Sequence, residues 1–238
     1  MGEFTDRVVV VSGAAGALGR EVVRAFLQEG ATVCALDRGE GRIAALGLDE
    51  GLPGRLEIFD RMDLSQPEIV PALREDVHQR VGQVDVLVNP VGGFTYGEVV
   101  HELSAETWQW MLAVNVLPFL NLSKAFVPDL VEQGRGKVIA VGAKAALKGG
   151  AKMGPYAATK AALLRLTESM AAELAPNGVQ VNCVLPGTID TPANRAEMPK
   201  ADFTKWVSPG AIAETILFLA SPGSDRITGA AIPVYGQP

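Results

Sequence analysis

The chain has 238 residues and a formal charge of −6, with Lys and Arg scattered rather than gathered into a basic stripe. That pattern argues against a nucleic-acid partner, whose phosphates require clustered cations, and a chain of this size buries enough surface to fold without a disulfide or metal staple. No apolar run is expected to reach the ~20 residues of a membrane helix, so no membrane association is expected.

Residues 7–11 (RVVVV) form a short β-branched run, which predicts a strand buried on both faces. It leads into Ser12-Gly13-Ala14-Ala15-Gly16-Ala17-Leu18-Gly19 and an amphipathic pattern over 17–29 that Gly30 stops. A second buried strand, 31–36, ends at Asp37. The unit is βαβ, with a glycine-rich first turn and an acid about twenty residues on. Glycines there let the chain turn tightly and let a pyrophosphate approach the helix N-terminus. Gly13, Ala15, Gly16, Ala17 and Leu18 are the candidate phosphate contacts. Asp37 is placed to hydrogen-bond ribose hydroxyls and repel a 2′-phosphate, which favours NADH, while Arg38 beside it leaves NADPH open. Cys34 and Cys183 lie in apolar runs (TVCAL, VNCVL), as reduced thiols of a cytoplasmic protein do. His78 and His101 lie in polar surroundings, and no Cys/His cluster has metal-ligand spacing, so no metal is expected.

A helical segment is expected within 39–51 and a third strand over 55–59. Asp63-Leu64 then either faces an adenine edge or acts as a turn or cap. A helix over 68–81 precedes a fourth strand, 84–88, ending in Asn89-Pro90-Val91-Gly92-Gly93-Phe94. Ser104 is the N-cap of a long helix, 104–133, that carries Asn115 and Pro118. Proline removes the hydrogen bond to Val114, predicting a kink beside Asn115. After a fifth strand, 137–141, the stretch GAKAALKGGAKMGPYAATK places Tyr156 and Lys160 four apart at the start of a helix running to about 176. That spacing puts both on one face. A cation there lowers the phenol's pKa and suits it to general acid–base work. A sixth strand, 179–185, ends in Pro186-Gly187-Thr188. A polar segment at about 188–207 has the length of a lid, and a helix over 211–220 and a strand over 230–234 close the chain. Strands alternate with helices throughout, which predicts a parallel sheet covered on both faces.

The glycine turn, Asp37, Asp63, Asn115, Tyr156, Lys160 and Pro186-Gly187 stand in the order and spacing of the short-chain dehydrogenase/reductase family, and the resemblance spans essentially the whole chain. It implies a single Rossmann-type α/β domain with a doubly wound parallel seven-stranded sheet, order 3-2-1-4-5-6-7. It also implies a nicotinamide cofactor. By the resemblance Tyr156 is the acid/base, Lys160 lowers its pKa and holds the nicotinamide ribose, and Asn115 shapes a water relay behind the lysine. Further cofactor contacts fall at Asp63, Leu64, Asn89, Val91, Gly92, Pro186, Gly187, Thr188 and Thr191. A homodimer or homotetramer through the helices at about 104–133 and 153–176 is likewise implied.

Three positions depart from the family pattern. Ala17 stands where a glycine is usual, Pro90-Val91 where Asn-Ala is usual, and Ala143, thirteen residues before Tyr156, where the catalytic serine is usual. Dihydropteridine reductases within the family also lack that serine, and Gly142-Ala143-Lys144-Ala145-Ala146-Leu147, Gly92-Gly93-Phe94 and the lid resemble theirs. Ala143, Phe94, Lys144 and Asn194 are then the substrate contacts. The leading expectation is an NADH-dependent reductase of quinonoid dihydropterin or a similar flat acceptor. The alternatives are an ordinary carbonyl/alcohol oxidoreductase working on a 3-oxoacyl or sugar-like substrate without the serine, and a non-catalytic NAD(H)-binding redox sensor.

Overall fold

The computed structural model describes residues 2–236. Seven strands, β1 (Val8–Ser12), β2 (Thr32–Leu36), β3 (Arg55–Phe59), β4 (Val86–Asn89), β5 (Gly136–Val141), β6 (Val179–Pro186) and β7 (Ala231–Val234), form one sheet in the order β3-β2-β1-β4-β5-β6-β7. Every pairing is parallel. This is the expected architecture.

The valine run of β1 shows why the sheet is covered twice. Side chains alternate across a strand, so Val9 and Val11 enter one core and Val10 the other. On the first face lie α1 (Ala17–Gln28) and α7 (Pro209–Ala220), through Val22, Val23, Phe26, Ile212 and Ile216. On the second lie α2 (Val70–Val81), α4 (Leu117–Gln133) and α5 (Gly154–Leu174), through Leu73, Val77, Phe119, Phe126 and Leu163.

The long helix expected over 104–133 is two helices. Ser104 caps α3 (Ala105–Asn115) by accepting the Thr107 amide at 3.1 Å, and the chain breaks at Val116 (φ −117°) before α4. Pro118 sits in the first turn of α4, where its missing N–H costs nothing. Asn115 therefore ends α3 with its side chain fully buried. Across this pair, Ala105–Gln133, an 18-residue window has mean hydropathy 1.4, so by length and composition it would pass as a membrane span, contrary to the expectation. More than half of that window (56%) is buried against the protein itself, which accounts for the apolar composition.

Two segments differ from expectation. Residues 39–51 form only a single 3-10 turn, Ala44–Leu46, because Gly41 and Gly47 take left-handed conformations that a helix cannot continue through. Within the proline-bearing segment after β6 there is a short helix, α6 (Pro192–Glu197), and a 3-10 turn, Phe203–Lys205. Six residues are too few to display a helical period.

Candidate active site

Strand order reverses between β1 and β4, and ligands of such sheets bind beyond the strand ends at that point. Here the two ends are tied together: Ser12 Oγ donates to Asn89 Oδ1 at 2.7 Å and accepts the Val91 amide at 3.4 Å. Gly13 turns the chain with φ +58°, and a side chain at Gly19 would place its Cβ 2.1 Å from the Gly13 carbonyl, so helix and turn can meet only with glycine there. α1 then begins behind Gly16, with no side-chain cap and no acid in its first turn. Its free amides suit an anion, as a pyrophosphate requires.

Asp37, at the end of β2 and nearly buried, organises the other half of this cradle. Its carboxylate accepts the Ala15 amide at 3.3 Å, the Gly39 amide at 2.8 Å and the Arg42 guanidinium at 3.0 Å. Arg38 is exposed beside it. Arg42 was not foreseen, since nothing in the glycine-punctuated loop marks it. Asp63 forms a local turn, accepting the Ser65 amide and hydroxyl at 3.1 and 2.7 Å, which is the turn alternative left open for it. Buried Leu64 presents its carbonyl to Asn121 Nδ2 at 2.9 Å. These residues fit a dinucleotide.

The second cluster forms at the ends of β4 and β5. Asn115 clamps the Gly93 backbone from both sides, accepting its amide and donating to its carbonyl, each at 3.1 Å, and also donates to Thr159 Oγ1 at 3.3 Å. Thr159, one residue before Lys160, links that clamp to α5. A Cβ at Gly92 would fall 2.9 Å from both Asn115 Oδ1 and Lys160 Nζ, so the lysine and the amide converge on this bare stretch of backbone. Lys160 is buried and donates to the Val141 carbonyl at 2.9 Å. Phe94, about half exposed, meets the Tyr156 ring edge-to-face with centroids 4.9 Å apart.

One expectation is corrected here. Spacing alone predicted that Lys160 would lower the tyrosine's pKa, but burial pushes the Tyr156 phenol up to about 12. Desolvation also lowers Lys160 itself to about 8, which weakens the cation that was to act on the phenol. Neighbouring Cys183 is pushed up to about 11 by burial, against a smaller lowering by Lys160.

Ala143, two residues beyond β5, is buried in extended backbone and offers no hydroxyl. Lys144 is exposed, with its Nζ over the Tyr235 ring at 5.0 Å. Pro186 closes β6, and the Gly187 amide donates to Val234 at 3.0 Å. The segment at about 188–207 is stapled at its neck by Asp190 N–H to Val207 O (2.8 Å) and Val207 N–H to Thr188 O (3.0 Å). Within it Thr191 caps α6 through the Asn194 amide, and Asn194 Nδ2 donates to Ile189 O at 2.8 Å. Both side chains thus also brace this segment internally. Arg195 braces it further, bonding Asp190 twice, at 2.6 and 2.7 Å, and lying 4.7 Å over the Phe203 ring.

The Asn115 clamp carries a prediction. Asn115→Leu keeps the volume but strands the Gly93 amide and carbonyl, each costing roughly 1–3 kcal/mol where water cannot replace the bond. Stability should fall by about 2–3 kcal/mol, read as a melting point lower by roughly 5–10 °C. An unchanged melting point would show that the clamp does not hold the loop.

A family model described as short chain dehydrogenase matches residues 7–202. The chain belongs to that family. The 3-oxoacyl-[acyl-carrier-protein] reductase of Thermotoga maritima is 31% identical over 239 residues, covering 97% of this chain and 96% of that protein. Among solved structures, a 3-oxoacyl-[acyl-carrier protein] reductase from Brucella melitensis with bound NAD superposes with TM-score 0.86 at 29% identity, over 98% of this chain and 90% of that one. The L-sorbose reductase of Gluconobacter frateurii, complexed with NADPH and L-sorbose, does so with TM-score 0.89 at 27% identity, over 99% and 97%. This short-chain dehydrogenase is accordingly a nicotinamide-dependent oxidoreductase. These relatives lend no support to the narrower dihydropteridine reductase resemblance, and they include both NAD and NADPH binders.

Proposed function

We propose that this protein is an ordinary carbonyl/alcohol oxidoreductase of small oxo or hydroxy compounds, working without the usual serine. The observation that carries this reading is the convergence of Lys160 and Asn115 on Gly92, with Tyr156 one helical turn before the lysine and its ring against Phe94, beside a turn that fits a dinucleotide. The glycine turn and α1 amides hold the cofactor's phosphates, and Asp37 takes the adenosine ribose hydroxyls, which favours NADH. Lys160 and the bare backbone at Gly92 border the nicotinamide end. The cofactor supplies or accepts the hydride. Tyr156 gives its phenolic proton to the substrate oxygen in reduction, and Lys160, titrating near 8, is able to return a proton. Phe94 and the segment at about 188–207 cover the site and limit water.

A second reading, a flat conjugated acceptor such as quinonoid dihydropterin, is favoured by one pair of observations: no donor at Ala143 and an aromatic edge, Phe94, against Tyr156. Both readings are tested by following NADH and NADPH absorbance with a panel of oxo acids, ketoses, ketones and freshly generated quinonoid dihydropterin. Turnover of the aliphatic carbonyls with NADH supports the first. Turnover of the pterin alone replaces it with the second, and tight NADH binding with no turnover of any acceptor refutes both.

A further inference from the structure

Between Glu132 and Glu168 the chain has no acidic residue, yet it carries Arg135, Lys137, Lys144, Lys148, Lys152, Lys160 and Arg165 there, in a protein of net charge −6. Most of these cations are accounted for. Lys137 pairs with Asp225 at 2.7 Å, Arg165 with Glu168 at 2.7 Å, and Arg135 lies 3.7 Å from Asp85. Lys160 is buried in the site, and Lys144 rests over Tyr235. Lys148 and Lys152 are different. Both are exposed, and among the described residues neither ammonium forms an ion pair or hydrogen bond.

Their position is set by the backbone. The loop that bears them joins Ala143 to Tyr156, so it forms one bank of the site's mouth. The Gly97 amide donates to the Lys152 carbonyl at 3.0 Å, which ties this bank to the loop carrying Phe94. A Cβ at Gly154 would fall 2.7 Å from Val100 Cγ2, so the two banks also touch beside α5. Exposed apolar side chains line them: Phe94, Tyr96, Val100 and Leu147. Lys152 is moreover one of three non-glycine residues with positive φ among the described residues, at +60°. Glycine would hold that conformation without steric cost, and residues kept in such conformations concentrate at binding sites.

We propose that Lys148 and Lys152 form an anion subsite at the mouth, binding a carboxylate or phosphate that the substrate carries several bonds from its reacting carbon. This rests on the oxidoreductase reading above and narrows its substrate class to anionic oxo or hydroxy compounds. The apolar banks cover the carbon chain between the two ends, while the two exposed cations draw the anion in through a field that salt screens.

The test compares matched acceptors with and without the charge: 4-oxopentanoate against its methyl ester, and dihydroxyacetone phosphate against dihydroxyacetone. In the parent protein at least one charged member should show kcat/KM about tenfold above its neutral partner, as two partly screened ion pairs allow. Which pair shows it separates carboxylate from phosphate. In Lys148→Gln/Lys152→Gln that ratio should fall toward one, as it should in the parent at high ionic strength. Ratios near one in the parent, or a ratio that survives the double substitution, overturn the proposal. If no member of either pair turns over, the oxidoreductase reading is what has failed for these compounds, and the subsite is read by binding instead. With NAD⁺ present, the charged compounds should raise the melting point of the parent more than the neutral ones and lose that advantage in the double variant. No such advantage overturns the subsite.

Discussion

Tyr156→Phe is expected to lower kcat/KM for carbonyl reduction by about 10²–10⁴-fold, the range lost with a positioned general acid, while leaving the melting point unchanged or slightly raised. The two readouts separate because the hydroxyl has no structural partner: among the described residues it makes no hydrogen bond, and the ring contact with Phe94 survives the substitution. A phenol pushed to about 12 by burial holds its proton across the working range and serves as a donor. In the proposed reaction, replenishing that proton falls to Lys160, lowered to about 8. Below that value the lysine is charged and can supply a proton; above it the supply fades. The pH profile of kcat for reduction should therefore be level at neutral pH and decline as the pH rises through about 8. Turnover by Tyr156→Phe within threefold of the parent would remove the phenol from the chemistry. A decline that instead sets in on the acid side of neutrality would remove Lys160 from the proton supply.

What could be read from the sequence is what is local in it. The turn from Ser12 to Gly19, Asp37 at the end of a strand, and Tyr156 with Lys160 one turn apart each lie within a single element or its connection, where spacing fixes geometry. The sheet order followed from the family resemblance carried by these motifs. The clamp from Asn115 to Gly93, the link from Asn115 to Thr159 and the ring contact from Phe94 to Tyr156 join separate elements, and no spacing encodes them. Burial is likewise not local, which is why the tyrosine's shift runs opposite to the one its spacing predicts: one turn of helix brings a cation near, but burial raises the phenol, and Phe94, which packs on its ring, comes from elsewhere in the chain. Thr191 and Asn194 carry two signals at once: the resemblance implies a cofactor contact at the first and a substrate contact at the second, while Thr191 followed by a proline is also a plain helix-start signal, and the fold uses it as one.

Ala143→Ser is expected to raise kcat/KM for aliphatic ketones, and the size of the gain discriminates between the two readings of the site. Loss of one oxyanion donor costs comparable enzymes about 10²–10³-fold. A hundredfold change is about 2.7 kcal/mol, within the roughly 1.5–3 kcal/mol that a hydrogen bond to a charged group is worth, so a single hydroxyl suffices. Position 143 can accept it: the backbone is extended (φ −164°, ψ 159°), a conformation serine adopts freely, and the residue lies just beyond β5 on the loop that leads to Tyr156. A gain of about tenfold or more, with the melting point held, means that the substrate oxygen passes within reach of residue 143 and that the natural alanine leaves developing charge to Tyr156 alone. No gain with ketones, accompanied by slower turnover of a flat acceptor, means that the reacting atoms lie farther from β5, under Phe94. In that case the missing hydroxyl is a feature of the true substrate's pose, and the ordinary carbonyl reading gives way.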